Sequence, residues 1–338
     1  MSKLIITADD YGYNASCNKA ILGAVSAGLV TSVHVMANYA DEFAIKQLVT
    51  TINEAGNKCG IGLHVNTTAG PSAFQEENSL TKWNNLNQRY HFRDITDFNF
   101  DSSQVAIVSK EVNVQFQKLA DIVGAENIDC ISSHHNIHFF CPDFLNVLID
   151  YSAKSKIPFR SSVRWEADGD NKTYKFGKNP LPIAKSGIDT ILQSTKNKNL
   201  KTVAMLKNAI EKKTMEGLRT MTNSDTRTGG MANSTSGHWY GQPSTQAISW
   251  MIEQLAALKQ KSPNYVTEIF MHLADSNNLP DAQKLDVLTY GMSQRKMEYL
   301  TLMSQDIKTM LHKLYVGNDV QLGSYRKLMQ GKQVEYKI

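Results

Sequence analysis

Apolar residues along this chain come in short runs that end on polar ones. Leu4 to Ala8, apolar but for Thr7 and bounded by polar residues, reads as a buried strand. Asn14 then suits a helix N-cap, with Ala20, Ile21, Ala24 and Val25 on one stripe and Gly28 as the stop. Val30–Met36 predicts a second strand, Asp41–Asn53 a helix and Gly60–Asn66 a third strand ending in polar residues. Residues 70–103 are polar and irregular, with Trp83, Tyr90 and Phe92 interspersed. A helix over Gln104–Val123 and a strand over Ile128–Ser132 follow. Further strands are expected over Pro158–Val163, Gly217–Met221, Val266–His272 and Val320–Ser324, and helices over Ser244–Lys259 and Asp281–Met303. Strands alternating with helices predict parallel βαβ units, hence an α/β fold.

The 338 residues suit one barrel with additions, so residues 1–338 are read as a single domain. One stretch breaks the pattern. Residues 172–213 are lysine-rich, with Asp189 and Glu211 as the only acids, and read as an inserted subdomain or lid with a solvated surface. A net charge of +4 is too mild to argue for nucleic acid. No apolar stretch is long enough to span a membrane. Cys17, Cys59, Cys130 and Cys141 show no metal spacing and read as free thiols in a reducing compartment. The expectation is a soluble cytoplasmic protein.

Chemistry-bearing residues gather where predicted strands end: Asp9-Asp10, His64, the run His134, His135 and His138, and His272. In barrel-type α/β folds the C-terminal strand ends are where active sites are built. Neighbouring side chains of a strand point to opposite faces, so the two acids can take two jobs, one on a metal and one on a proton. If the histidine run is extended, His134, Asn136 and His138 share one face and His135 takes the other. Imidazole with carboxylate suits zinc or magnesium-like ions, and a set of two histidines and one aspartate leaves room for water.

These stretches also carry a family likeness. "ADDYGYN", "GLVTSVHVMAN", "IGLHVNTTAGP" and "SSHHNIHFFCP", followed by "EIFMH" and "LGSYRKL", resemble the successive motifs of the YdjC-like carbohydrate deacetylases, which include chitooligosaccharide deacetylases. The likeness runs from Leu4 to about Leu328, apart from the lysine-rich stretch. It implies a (β/α) barrel-like fold and one divalent ion, Mg2+ or Zn2+, serving N-deacetylation of a small amino sugar or oligosaccharide. By matching positions it makes Asp10, His64 and His134 the metal ligands, Asp9 the general base and His272 the general acid. Arg160 falls where the family has a basic residue facing substrate, and Asn136 and His138 fall on the substrate side. Chain size and resemblance together suggest a homodimer.

The chain departs from the family pattern at Ser132, where aspartate is usual, at Asn136, where a histidine is usual, and at Leu273, where a proline is usual. Asp129 is a candidate to replace the lost carboxylate. Arg295 and Glu298 read as a surface or structural pair, and "GHWYG" around Trp239 as a rim loop or a sugar-stacking one. Two other readings stand beside the deacetylase. One is another metal-assisted hydrolase such as a phosphoesterase. The other is a sugar-binding protein with lost or reduced catalysis.

Overall fold

The computed structural model describes residues 2–56, 58–93, 102–135, 142–160, 165–167, 173–176, 233–236, 252, 266–276, 292–329 and 335–337. The expected elements over Gly217–Met221 and Ser244–Lys259, the "GHWYG" stretch, and most of 172–213 lie outside these residues.

The first apolar run forms β1 (Ser2–Tyr11), longer than its apolar core because Asp9 and Asp10 stay in the strand. Asn14 caps α1 (Ala15–Ser26) by accepting from the Cys17 amide, and Cys17, Ala20, Ile21, Ala24 and Val25 are its buried stripe. Gly28 follows at φ 69, a left-handed position that closes the helix. Then come β2 (Ser32–Val35), α2 (Glu42–Glu54, capped by Asp41) and β3 (Gly60–Val65). The polar stretch after β3 is not all irregular: β4 (Thr81–Asn84) and β5 (Arg89–Phe92) pair as an antiparallel hairpin. Next are α3 (Val105–Val123), β6 (Ile128–Ser133) and α4 (Pro142–Ser155). Of the expected strand over 158–163, the described part is a single parallel bridge, Ile131 to Phe159. β7 (Trp165–Ala167), β8 (Thr173–Phe176) and β12 (Glu335–Lys337) form a small separate sheet. The chain also forms β9 (Asn233–Ser236), β10 (Val266–His272), α5 (Met292–Leu302), α6 (Gln305–Val316), β11 (Val320–Leu322) and α7 (Tyr325–Met329).

The main sheet is parallel throughout, in the order β6-β3-β2-β1-β10-β9, with β11 pairing the start of β1. Sequential strands joined by helices give the expected α/β architecture, and the order of the described strands is consistent with a barrel. All strand C-termini therefore point one way, and Asp9, His64 and His272 lie in the last residues of β1, β3 and β10 on one edge.

One face of the sheet carries Leu4, Ile6, Val33, Leu63 and Ile131 into a large core with the helices. On the other face Ile5, Cys130 and Val266 meet Tyr325 and Leu328 in a small apolar floor. Strand periodicity places Thr7 and Asp9 above Ile5 on that second face, so its side chains turn from apolar to polar toward the C-terminal edge. Cys17, Cys59 and Cys130 are free thiols. Among the described residues no helix is long and apolar enough to cross a membrane.

Candidate active site

The two acids do not alternate as a regular strand would require. The β1–β2 register shifts between Ala8 and Tyr11, and Asp10 sits at φ 66, in the left-handed region. A bulge of this kind re-aims a side chain, and a non-glycine residue held there is a strained conformation typical of functional sites. Both carboxylates therefore face histidines, Asp9 toward His34 and Asp10 toward His64 and His134. The two acids thus sit in different settings, but opposite strand faces are not the cause.

Asp10 is fully buried. Its Oδ1 lies 3.0 Å from His134 Nδ1 and 3.3 Å from His64 Nε2. The three ligand atoms lie within 4.8 Å of one another, so the group could hold a metal ion. The fit is chemical as well as geometric. Among the described residues Asp10 Oδ1 has no well-aligned hydrogen-bond donor despite its burial, which is costly unless something else takes up its charge. Arg295 donates from Nη2 to Oδ2 at 2.7 Å, so one oxygen is fixed and the other is left facing the imidazoles. Burial pushes the Asp10 carboxyl up, but His134 and Arg295 outweigh it and hold the group well below the usual carboxylate range.

Asp9 has a different setting. Arg160 donates to both its oxygens, Nη1 to Oδ2 at 2.6 Å and Nη2 to Oδ1 at 2.9 Å. The same guanidinium donates to Glu268, which also accepts from the Thr7 hydroxyl. Burial pushes Asp9 up, but Arg160, then His64 and His34, hold it well below the usual range. Asp9, His34 and His64 also lie close enough to hold an ion. Arg160 makes that group a poor cation site, since its charge already faces both oxygens of Asp9.

Between the two acids stand His34, Ser132 and His64. The Ser132 hydroxyl is 2.7 Å from Nδ1 of each imidazole. Gly62 makes room for this: a Cβ there would come within 2.4 Å of His34 Cδ2. Gly62→Ala should therefore cost on the order of 1–3 kcal/mol of stability, as overpacking does. A urea titration showing wild-type stability would contradict it. Asp129 does not replace the missing carboxylate. It accepts from the Tyr325 and Arg326 amides at 2.9 Å and caps α7.

His272, the last residue of β10, is the register partner of Asp9, and its amide donates to Glu298 at 2.6 Å. Burial pushes its imidazole down to about 4, against the pull of Asp10 and Asp9. His34 is likewise pushed down to about 4 by burial and Arg160. A histidine depressed in the fold stays neutral while the unfolded chain takes up a proton below about 6.5, so stability is full above pH 6.5 and falls toward pH 4. For fully buried His34 the loss in cation-free protein should reach roughly 3 kcal/mol. His34→Gln should flatten the urea-midpoint profile between pH 4 and 6.5, and an unchanged slope would refute this.

The structure brings together Asp9, Asp10, His64, His134, Arg160 and His272. It bears on three expectations. In the described part of the histidine run, His134 and His135 are not extended: β6 ends at Ser133, and both enter a tight turn with His135 at φ 55. Arg160 is buried in a double ion pair. Arg295 and Glu298 are not a surface pair but are buried, reaching Asp10 and the His272 amide separately. Asn136 and His138 lie outside the described residues. His34 and Glu268 were not anticipated. Their signal was available, since both occur in strands whose other ends or neighbours carry acids.

The YdjC-like protein family matches residues 3–313. A carbohydrate deacetylase of Brevibacillus brevis is 27% identical over 158 residues, 47% of this chain and 58% of that protein. A chitooligosaccharide deacetylase of Proteus mirabilis is 26% identical over 162 residues, 46% of this chain and 58% of that protein. The chain thus spans less than two thirds of these relatives. A crystal structure from Enterococcus faecalis V583, named for cellobiose-phosphate cleavage, shares the fold over 97% of this chain and 99% of its own, with a TM-score of 0.60 and 18% identity.

Proposed function

From the premise that the chain belongs to the YdjC-like family, we propose that it hydrolyses the N-acetyl group of a small amino sugar or oligosaccharide. The observation that carries this is the pair of buried acids in unlike settings: Asp10 facing two imidazoles, and Asp9 held by an arginine. Asp10, His64 and His134 would hold one divalent cation. Bound there, such an ion would polarise the amide carbonyl and make water a better nucleophile near neutral pH. The donor set suits Zn2+ or Mg2+.

The protein's own residues supply the rest. Asp9 stays ionised at neutral pH and accepts the proton of the attacking water. Arg160 and His34 hold that carboxylate in place, so Arg160 is assigned to the base and not to direct substrate contact. His272 delivers a proton to the departing nitrogen. It is neutral at rest, so it must first gain that proton during the reaction, and Asp9, its register partner, which has just taken the water's proton, is assigned to pass it on. Water and amide thus become acetate and free amine. Asn136 and His138, which follow His134 in the sequence, are proposed to meet the sugar.

A phosphoesterase of this kind commonly uses a second cation. The second group is a poor place for one, because Arg160 and Ser132 engage its members. Purified protein with Zn2+ or Mg2+ and a panel of N-acetylated amino sugars should release acetate, and a chelator should stop it. Phosphate release from sugar phosphates without acetate release would favour the phosphoesterase. Sugar binding with neither product would favour a non-catalytic protein.

A further inference from the structure

Ser132, the next-to-last residue of β6, has no exposed surface. Its Oγ is 2.7 Å from Nδ1 of His64, 2.7 Å from Nδ1 of His34 and 3.5 Å from the Leu63 carbonyl. A hydroxyl has one hydrogen to donate and two lone pairs to accept with, whereas a neutral imidazole has one N–H and one bare nitrogen. We infer that Ser132 is a positioning residue that selects the tautomer of His64 for a cation and reverses its hydrogen bond to that ring when the cation arrives. The inference rests on Asp10, His64 and His134 being the cation site.

The constraint runs through the His64 ring. A nitrogen that binds a cation must offer its lone pair, so Nε2 has to be bare and the hydrogen must sit on Nδ1. That Nδ1 faces Ser132 Oγ, which must then accept. Without a cation the opposite arrangement is favoured, because it turns a hydrogen and not a lone pair toward the Asp10 carboxylate. His64 Nε2–H lies 3.3 Å from Asp10 Oδ1, and Nδ1 is bare and accepts the Ser132 hydrogen.

His34 fixes the other side. Its Nε2 is buried with no hydrogen-bond partner among the described residues, so a hydrogen there would be wasted. The hydrogen belongs on Nδ1, within reach of Ser132 Oγ at 2.7 Å and Asp9 Oδ1 at 3.3 Å. With a cation bound, Ser132 therefore accepts from both rings, and its own hydrogen turns to the Leu63 carbonyl. Only a small group that both donates and accepts serves both states without moving the backbone. The same contacts run from Asp10 through His64, Ser132 and His34 to Asp9, so the cation ligand and the proton acceptor share one hydrogen-bonded chain.

The test titrates Zn2+ into the full-length chain against a fluorescent chelator and records long-range proton–nitrogen spectra of the histidine rings. Ser132→Ala should lower Zn2+ affinity ten- to a hundredfold, the usual effect of removing a group that orients a metal-binding histidine. Ser132→Thr, which keeps the hydroxyl, should restore most of it. In wild type the His64 hydrogen should move from Nε2 to Nδ1 on adding Zn2+. Ser132→Ala binding Zn2+ as tightly as wild type, with His64→Ala losing it, overturns the inference and leaves the cation site standing. His64→Ala binding Zn2+ like wild type overturns the cation site and the inference with it. If Ser132→Ala fails to fold, the wild-type spectrum decides: a Zn2+-loaded His64 with its hydrogen still on Nε2 overturns the inference.

Discussion

His64→Ala should lose the cation and the activity together. Its Nε2 is one of three ligand atoms converging on a buried point, and Asp9, the neighbouring carboxylate, is held by Arg160 and not free to replace it. Asp10→Asn should do the same for a different reason. It keeps the shape but removes the charge, leaving Arg295 donating to a neutral amide and two imidazoles with no anion between them. A cation in this role supplies several kcal/mol of charge stabilisation, so activity should fall by at least about a thousandfold. Metal content by mass spectrometry and acetate release should drop in step. A variant with one cation per chain and no activity would mean that His64 acts in the chemistry and not in holding the ion. Fold should survive His64→Ala, because the lost ring leaves Asp10 with His134 and Arg295.

Much of this site was legible in the chain because its residues end strands, and strand ends are marked by where apolar runs stop. β10 was placed residue for residue over Val266–His272, and α1 by its Asn14 cap and buried stripe. Periodicity does not report tertiary partners, and that is where the reading stopped. The rule that neighbouring residues alternate failed at Asp10, because a left-handed residue at a bulge leaves no periodic trace. Arg295 and Glu298 look like an ordinary helical pair at i and i+3, and only the packing of α5 against β10 buries them beneath the acids. The hairpin at 81–92 hid among polar residues because its strands are largely exposed, which removes the apolar alternation that marks a strand.

Asp9→Asn and His272→Ala should keep the cation and lose turnover. Neither residue belongs to the Asp10, His64 and His134 group, and Asp9 is engaged by Arg160. Asn keeps the size of Asp9 but cannot take a proton, and alanine at 272 leaves the ligand set untouched. Each change should lower kcat about a hundredfold or more, the usual range for a general base or acid, with metal content near one per chain. Their pH behaviour separates this account from a simpler one. A general acid with an ordinary imidazole pKa would be protonated at pH 6 and mostly neutral at pH 8, so removing it would hurt most on the acid side. Burial pushes His272 down to about 4, and a cation nearby would push it lower. His272 is then neutral throughout pH 6–8 and gains its proton only during the reaction. The deficit of His272→Ala in kcat/KM should therefore be the same factor at pH 6 and pH 8. A deficit that shrinks steadily toward pH 8 would show that His272 titrates in that range and enters the reaction already charged. Acetate release that survives both substitutions would remove Asp9 and His272 from the mechanism altogether.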